Sequence, residues 1–170
     1  MDAEKFTKKS LEVIESCEKL AYEYNNQELT QAHLMYALVT VEDSLIAKLL
    51  TNMGINMDAF TGECEKLVAN RPKVSGGQLF TSPEFSKALI QAEKEAKQMG
   101  DDYISVEHIF LGLLEKADKD IKRVINAYGI TRGKFLEVLA NIRGNRKVES
   151  DNPEDTYDAL NKYGYNLVER

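Results

Sequence analysis

Two histidines, His33 and His108, are the side chains in this chain best suited to metal binding or proton transfer. Each stands alone on its predicted helix, without a second histidine, a cysteine or a carboxylate at the spacing of metal ligands. They lie 75 residues apart, at equivalent places in a repeated pattern. Equivalent histidines in a duplicated unit favour a repeated structural role, such as a hydrogen bond at a helix start, over a metal site.

The segment from Gly129 to Phe135 comes nearest to a phosphate-binding loop. It has three residues between its glycines instead of four, and Phe135 occupies the position of the magnesium-binding Ser or Thr. No Gly-x-Ser-x-Gly elbow occurs in the sequence. Cys17 and Cys64 fall at apolar helical positions, which predicts buried free thiols rather than nucleophiles. We therefore predict a non-catalytic chain that carries no metal or cofactor.

A repeat with an offset of 75 residues runs without a gap from about 7 to 64. Gly54 matches Gly129, and Phe60 matches Phe135. In three further pairs both residues are of types preferred at the N-cap of a helix, where a side-chain oxygen accepts a hydrogen bond from an amide of the first turn. These pairs are Thr7 with Ser82, Thr30 with Ser105 and Asn56 with Thr131. The chain is therefore predicted to be a duplicated unit, with repeat 1 at about 7–70 and repeat 2 at about 82–144.

Apolar residues at steps of three and four indicate four helices in each repeat. The predicted first helices cover about 8–24 and 83–99, and the fourth about 57–69 and 132–143. Gly54 and Gly129 supply the left-handed residue that ends a helix. Since no segment alternates like a strand, the predicted fold is all-α: eight short helices in two repeats related by a pseudo-twofold axis.

The repeats end near 144, where the helical pattern stops. We expect a domain at 1–145 and, at 146–170, a flexible linker followed by a short helix at about 154–168. The densest basic cluster is Arg143, Arg146 and Lys147, which we interpret as part of a solvated linker. The net charge of −6 and the otherwise dispersed lysines and arginines argue against a nucleic-acid interface.

The N-terminus lacks the apolar stretch of a secretory signal, and no run reaches the ~18 apolar residues of a membrane span. The sequence alone therefore predicts a cytoplasmic chain without membrane contact.

The repeated motifs resemble the Clp N-terminal repeat family over about 1–145. The resemblance rests on Thr30-x-x-His33-Leu34 with Gly54-Ile55, and on Ser105-Val106-Glu107-His108 with Gly129-Ile130. Residues 150–167 are similar to the segment that joins a ClpB-type N-terminal domain to its first ATPase module. The resemblance implies a domain tethered above a homohexameric ATPase ring, with ATP and magnesium bound only in the ATPase domains absent from this chain.

In that family the domain engages unfolded or aggregated polypeptide and passes it to the ring, which disaggregates it for refolding during the stress response. The resemblance implies a contact patch with Thr7 at the start of the first helix and with Asp101 and Glu107 around the start of the sixth. An apolar groove is expected beside it, with Leu89, Ile90 and Ile109 as candidates. As isolated residues, Thr7 and Glu107 are equally typical of helix starts.

Two other functions remain open. A ClpC-type N-terminal domain docks adaptors or phosphoarginine-marked substrates for a protease and tends to place Glu before the repeated histidine in both halves. Here Glu107 precedes His108, but Ala32 precedes His33. A purely structural or oligomerising repeat would instead need a large apolar face, which these short amphipathic helices do not suggest. We expect the isolated domain to be a monomer.

Overall fold

A computed structural model describes residues 2–144 and 146–153 of the chain. Within these residues eight α-helices follow a short 3-10 turn at Ala3–Lys5. The helices of repeat 1 are α1 (Lys8–Glu23), α2 (Gln31–Thr40), α3 (Leu45–Asn52) and α4 (Met57–Ala69). Those of repeat 2 are α5 (Pro83–Gln98), α6 (Val106–Glu115), α7 (Lys119–Ala127) and α8 (Arg132–Arg143). The predicted all-α architecture is confirmed.

The helix starts follow the repeated polar residues. Thr7 Oγ1 accepts a hydrogen bond from Ser10 N over 3.2 Å, and Ser82 Oγ accepts one from Phe85 N over 3.0 Å. Side-chain oxygens at such positions satisfy amides that have no partner within the helix. Gly54 and Gly129 follow α3 and α7 with φ of +86° and +66°, a backbone conformation that strongly favours glycine.

Two strands of two residues each, β1 (Glu28–Leu29) and β2 (Phe80–Thr81), form a parallel pair that the sequence did not suggest. Segments this short cannot show alternation, so pattern analysis misses them. Ser82 N donates to Leu29 O over 2.9 Å, and Thr7 N donates to Ile104 O over 3.0 Å. The segment before the first helix of each repeat thus pairs with the segment before the second helix of the other repeat.

The core lies around α2 and α6, which contact each other and helices of both repeats. Phe60 of repeat 1 meets Tyr128 of repeat 2 edge to face, with ring centroids 5.2 Å apart. Buried Gln31 also joins the repeats, because its amide donates to Lys116 O over 2.8 Å and accepts from Asp118 N over 2.8 Å. The two repeats therefore share one core.

Helices α5 and α6 pack closely because Gly112 lacks a side chain where α6 crosses α5. A Cβ at Gly112 would collide with the backbone of Ala88. This contact fixes α6 against α5 and thereby places the residues at the start of α6.

Residues 146–148 fold back onto the loop that precedes α6. Val148 is buried, and its carbonyl accepts from Asp102 N over 2.8 Å. Lys8 N donates to Asp151 O over 2.8 Å. The structure thus differs from the expected solvated linker in this stretch, because Val148 is buried and its backbone has hydrogen-bond partners. The helix predicted at 154–168 lies outside the described residues.

Both cysteines are free and buried, as the sequence predicted. Burial raises the pKa of the Cys17 thiol and raises that of Cys64 to about 12. Among the described residues, none of the helices combines the length and the hydrophobicity that a membrane span needs.

Candidate functional site

Thr7 lies at the junction between the N-terminus and the start of α6. Its side chain is buried and donates to Ser10 Oγ over 3.0 Å, while Ser10 Oγ donates to Ile104 O over 2.9 Å. Thr7 N also donates to Ile104 O. The residue therefore anchors α1 to the backbone just before α6, and its hydroxyl is enclosed in the domain.

The two histidines hold the starts of α2 and α6, which confirms the role predicted from the repeat. His33 Nδ1 accepts from Thr30 N over 3.0 Å, and His108 Nδ1 accepts from Ser105 N over 2.9 Å. Since Nδ1 is the acceptor in both rings, Nε2 carries the proton and donates. The acceptors are Asn26 Oδ1 at 2.8 Å and Asp101 Oδ2 at 2.7 Å, again 75 residues apart.

Asp101 and Glu107 belong to a buried charged cluster in repeat 2. Arg143 pairs with Asp101, and its Nη1 lies 3.5 Å from Glu107 Oε2. Asp101 Oδ1 also accepts from Val148 N over 3.0 Å. Although burial favours the neutral acid, the hydrogen bonds from His108, Val148 and Arg143 outweigh it and lower the pKa of Asp101 below its usual value. The cluster ties the loop before α6 to the end of α8.

Repeat 1 has no charge at the matching positions. Asn26, Ala32 and Val68 stand where repeat 2 has Asp101, Glu107 and Arg143. His33 is left beside a neutral amide, and burial followed by the charge of Arg71 lowers the pKa of this histidine to about 4. The buried charged cluster of repeat 2 therefore has no counterpart at the matching positions of repeat 1.

The three apolar candidates differ in exposure. Ile109 is fully buried, Leu89 is half-buried against the core, and Ile90 is 50% exposed on α5. Lys87 and Lys94, one turn to either side of Ile90, are exposed. The accessible part of the predicted groove is thus an apolar spot on α5 with a polar surround, and Ile109 lies beneath the surface.

Three exposed apolar side chains were missed by the sequence analysis. Tyr22, Val74 and Phe80 are 66%, 40% and 51% exposed. Val74 and Phe80 line a groove of about 200 Å³ with Arg71 and residues of the β1 region. No helical periodicity covers the connector that contains Val74 and Phe80, so the sequence offered no signal for their exposure.

The charged side chains do not form a metal centre. Among residues 2–144 and 146–153, no group of three or more His, Cys, Asp or Glu side chains could hold a metal ion. In the buried cluster the positive charge comes from Arg143. The arrangement can orient helices and present an apolar surface.

The sequence matches the family model described as the Clp repeat (R) N-terminal domain over residues 5–128. It is 41% identical over 174 residues to the chaperone protein ClpB of Clostridium tetani and 42% identical over 175 residues to that of Nitratidesulfovibrio vulgaris. Each alignment covers 99% of this chain and 20% of the relative. The chain therefore spans about a fifth of the length of these relatives.

Solved structures agree with this fold. The Hsp104 N-terminal domain from Candida albicans superimposes with a TM-score of 0.78 at 20% identity, over 88% of this chain and 99% of that one. The N-terminal domain of ClpD from Arabidopsis thaliana gives a TM-score of 0.57 at 18% identity, over 79% and 94% of the two chains.

Proposed function

Because the chain belongs to the Clp repeat N-terminal domain family, whose members are non-catalytic, we propose that it captures unfolded or aggregated polypeptide for a ClpB-type chaperone. The captured segment would pass to the ATPase ring of the whole protein. The observation that carries this proposal is the exposed Ile90 on α5, with Leu89 half-buried beside it.

An exposed apolar spot of this size suits transient binding. Fully burying an isoleucine side chain contributes about 1.5–3 kcal/mol, and Ile90 is already half covered, so the remaining gain is about 1 kcal/mol. A client segment held by a few such contacts binds weakly and is released easily. The polar surround keeps the surface soluble between encounters.

We assign Thr7, Asp101 and Glu107 a positioning role within this surface. All three side chains are buried, and they hold α1, the loop at 101–105 and α6 against one another. Ile109 supports α6 from within the core. Direct contact with a client would fall to Ile90 and Leu89, whose placement depends on the packing of α5 against α6.

ATP and magnesium would bind to ATPase domains outside this chain, in a homohexamer that works in the cytoplasm. The isolated domain would be a monomer, which light scattering at micromolar concentration tests directly.

A second candidate is the docking of adaptors or phosphoarginine-marked substrates, as in ClpC-type domains. It is favoured by Glu107 Oε1, which is buried and has no hydrogen-bond partner within the described residues. A guanidinium group could use such an acceptor. Repeat 1 has Ala32 at the position of Glu107, so it lacks this acceptor, which argues against a symmetric pair of such sites.

The test is a binding titration with a labelled model protein, once in an unfolded form and once in its native form. We expect Ile90→Ser to weaken binding of the unfolded form several-fold, because about 1 kcal/mol of apolar contact is lost. The matched control is Lys94→Ser on the same helix, which leaves Ile90 in place. Equal affinities for Ile90→Ser and the unaltered chain would refute a client surface at Ile90. Specific competition by free phosphoarginine would favour the second candidate.

A further inference from the structure

A pocket of about 390 Å³ opens between the end of α5 and the C-terminal half of α8. Its apolar walls come from Met99, Leu136, Leu139 and Ala140. Leu139 is buried, whereas Met99 and Leu136 are half-buried, so part of this apolar surface remains accessible. A cavity of this size accommodates one or two side chains of a partner.

The rim of the pocket is basic. Arg143, Arg146 and Lys147 line it, and no carboxylate occurs among the lining residues that the structure describes. This cluster stands out on a chain whose net charge is −6. Arg143 is neutralised by Asp101 and Glu107, so the uncompensated charges at the rim are those of Arg146 and Lys147.

Arg146 is the residue that indicates an anionic ligand. Its Nε is buried and makes no hydrogen bond to any described residue. A buried guanidinium donor without a partner is costly, and a carboxylate satisfies it with two parallel hydrogen bonds. Lys147 Nζ donates to Met99 O over 2.7 Å, which holds the ammonium group of Lys147 beside the pocket and leaves it further donors.

The local backbone holds this arrangement in place. Gly144 follows α8 with φ of +61° and turns the chain back over the helix. Arg143 Nε then donates to Arg146 O over 2.8 Å, and Arg146 N donates to Arg143 O over 3.2 Å. Arg146, which is half-buried, and Lys147, which is exposed, therefore lie beside the apolar walls, in contrast to the solvated linker expected from the sequence.

Repeat 1 does not reproduce the pocket. Tyr24 and Glu65 stand at the positions of Met99 and Ala140, and Tyr24 Oη donates to Glu65 Oε2 over 3.0 Å. Pro72 replaces Lys147. Arg71 keeps the position of Arg146, but it pairs with Glu28 over 3.7 Å and with Asp120 over 3.8 Å. Among the described residues, apolar walls next to cations that have no carboxylate partner are therefore found in repeat 2.

We propose that this pocket docks an acidic peptide segment of a partner protein, with one apolar side chain entering between Met99 and Leu139. Flanking carboxylates pair with Arg146 and Lys147. A free anion or a nucleic-acid backbone has no apolar side chain to fill the pocket, so the apolar walls favour the peptide over both. The surface is separate from Ile90, so this proposal does not depend on client capture.

The test uses the 170-residue chain and a fluorescein-labelled peptide in which glutamates flank a single leucine. We expect saturable binding by anisotropy that weakens roughly tenfold when Arg146 and Lys147 are both replaced by Ser. The matched control replaces Lys122 and Lys134, which are exposed on α7 and α8, and changes the net charge equally. Ala140→Glu, which copies Glu65 of repeat 1, should also weaken binding.

Two further probes separate the possible ligands. A peptide with serine in place of leucine should lose most of its affinity, and added salt should weaken the parent peptide because its charges are exposed. Absence of binding up to about 1 mM peptide would overturn the proposal. It would also fail if the control substitutions at Lys122 and Lys134 weakened binding as much as those at Arg146 and Lys147. Binding of a single-stranded oligonucleotide that the Arg146 and Lys147 substitutions weakened in the same way would overturn it as well.

Discussion

Asp101 Oδ2 accepts a hydrogen bond from His108 Nε2 over 2.7 Å, and the same carboxylate pairs with Arg143. In repeat 1 the equivalent His33 donates to the neutral Asn26. The helix-start interaction is thus shared by both repeats, but only repeat 2 extends it into a charged network that reaches the end of α8 and Val148. The residues that separate the two repeats at this cluster are Asn26, Ala32 and Val68 in repeat 1, in place of Asp101, Glu107 and Arg143 in repeat 2.

Replacing the charged cluster by its counterpart from repeat 1 tests this relationship. Arg143→Val alone should lower the free energy of unfolding by about 3–5 kcal/mol, because it leaves two buried carboxylates without a cation. The triple variant Asp101→Asn, Glu107→Ala and Arg143→Val should recover much of that loss. Urea denaturation measures both. A triple variant less stable than Arg143→Val would show that the two repeats are not interchangeable here.

The buried His33 predicts a loss of stability in mild acid. Its pKa is about 4 in the folded protein and about 6.5 when unfolded, so the unfolded state binds the proton first as the pH falls. The stabilisation is complete above about pH 6.5 and declines towards pH 4, by about 2 kcal/mol at pH 5.

Urea midpoints measured across this pH range test the effect. Asn26→Asp, which copies Asp101 of repeat 2, should reduce the loss because a carboxylate next to His33 raises the pKa of the imidazole. A variant with the same pH slope as the unaltered chain would contradict the assignment to His33.

Two glycine substitutions should act in opposite directions. Gly112→Ala should destabilise the domain by about 1–3 kcal/mol, because the new methyl group meets the backbone of Ala88. Gly62→Ala lies within α4 with no atom near the added Cβ, and it should stabilise by about 0.5–1 kcal/mol. Thermal unfolding compares the two. Equal effects would mean that α5 and α6 do not approach as closely as described.

Both thiols should resist modification in the folded protein. Cys17 and Cys64 are buried, and their raised pKa values keep the reactive thiolate scarce at neutral pH. A thiol-reactive disulfide reagent should therefore label them only at the rate of unfolding and quickly in denaturant. Rapid labelling of either cysteine without denaturant would contradict their burial.

The helical fold could be predicted from the sequence because the residues that start and end its helices act locally and occur in both repeats. Each signal occurs once in each repeat, at the same offset of 75 residues. The signals are the N-caps Thr7 and Ser82, the helix-ending Gly54 and Gly129, and the two histidines. The helix starts and ends follow from these residues. The pairing of Thr7 with Ile104 across the repeats could not be predicted, because it depends on how two similar units face each other.

The candidate site could be predicted only in part. The sequence placed Thr7, Asp101 and Glu107 near helix starts, where they are found, but it carried no information about their burial. Arg143 was missed as their partner because a basic residue at the end of a pattern looks like a linker residue. Its burial depends on the return of residues 146–148 across the loop, which is a tertiary contact.

We have proposed that α5 presents a surface for unfolded polypeptide. An NMR titration of the chain with an unfolded model protein, and with the native form of that protein, tests this surface directly. We predict weak, saturable amide shifts centred on Leu89 and Ile90, with smaller shifts at Thr7, Asp101 and Glu107, and little response to the native form. Equal shifts with both forms, or no shifts on α5, would show that α5 is not a surface for unfolded polypeptide.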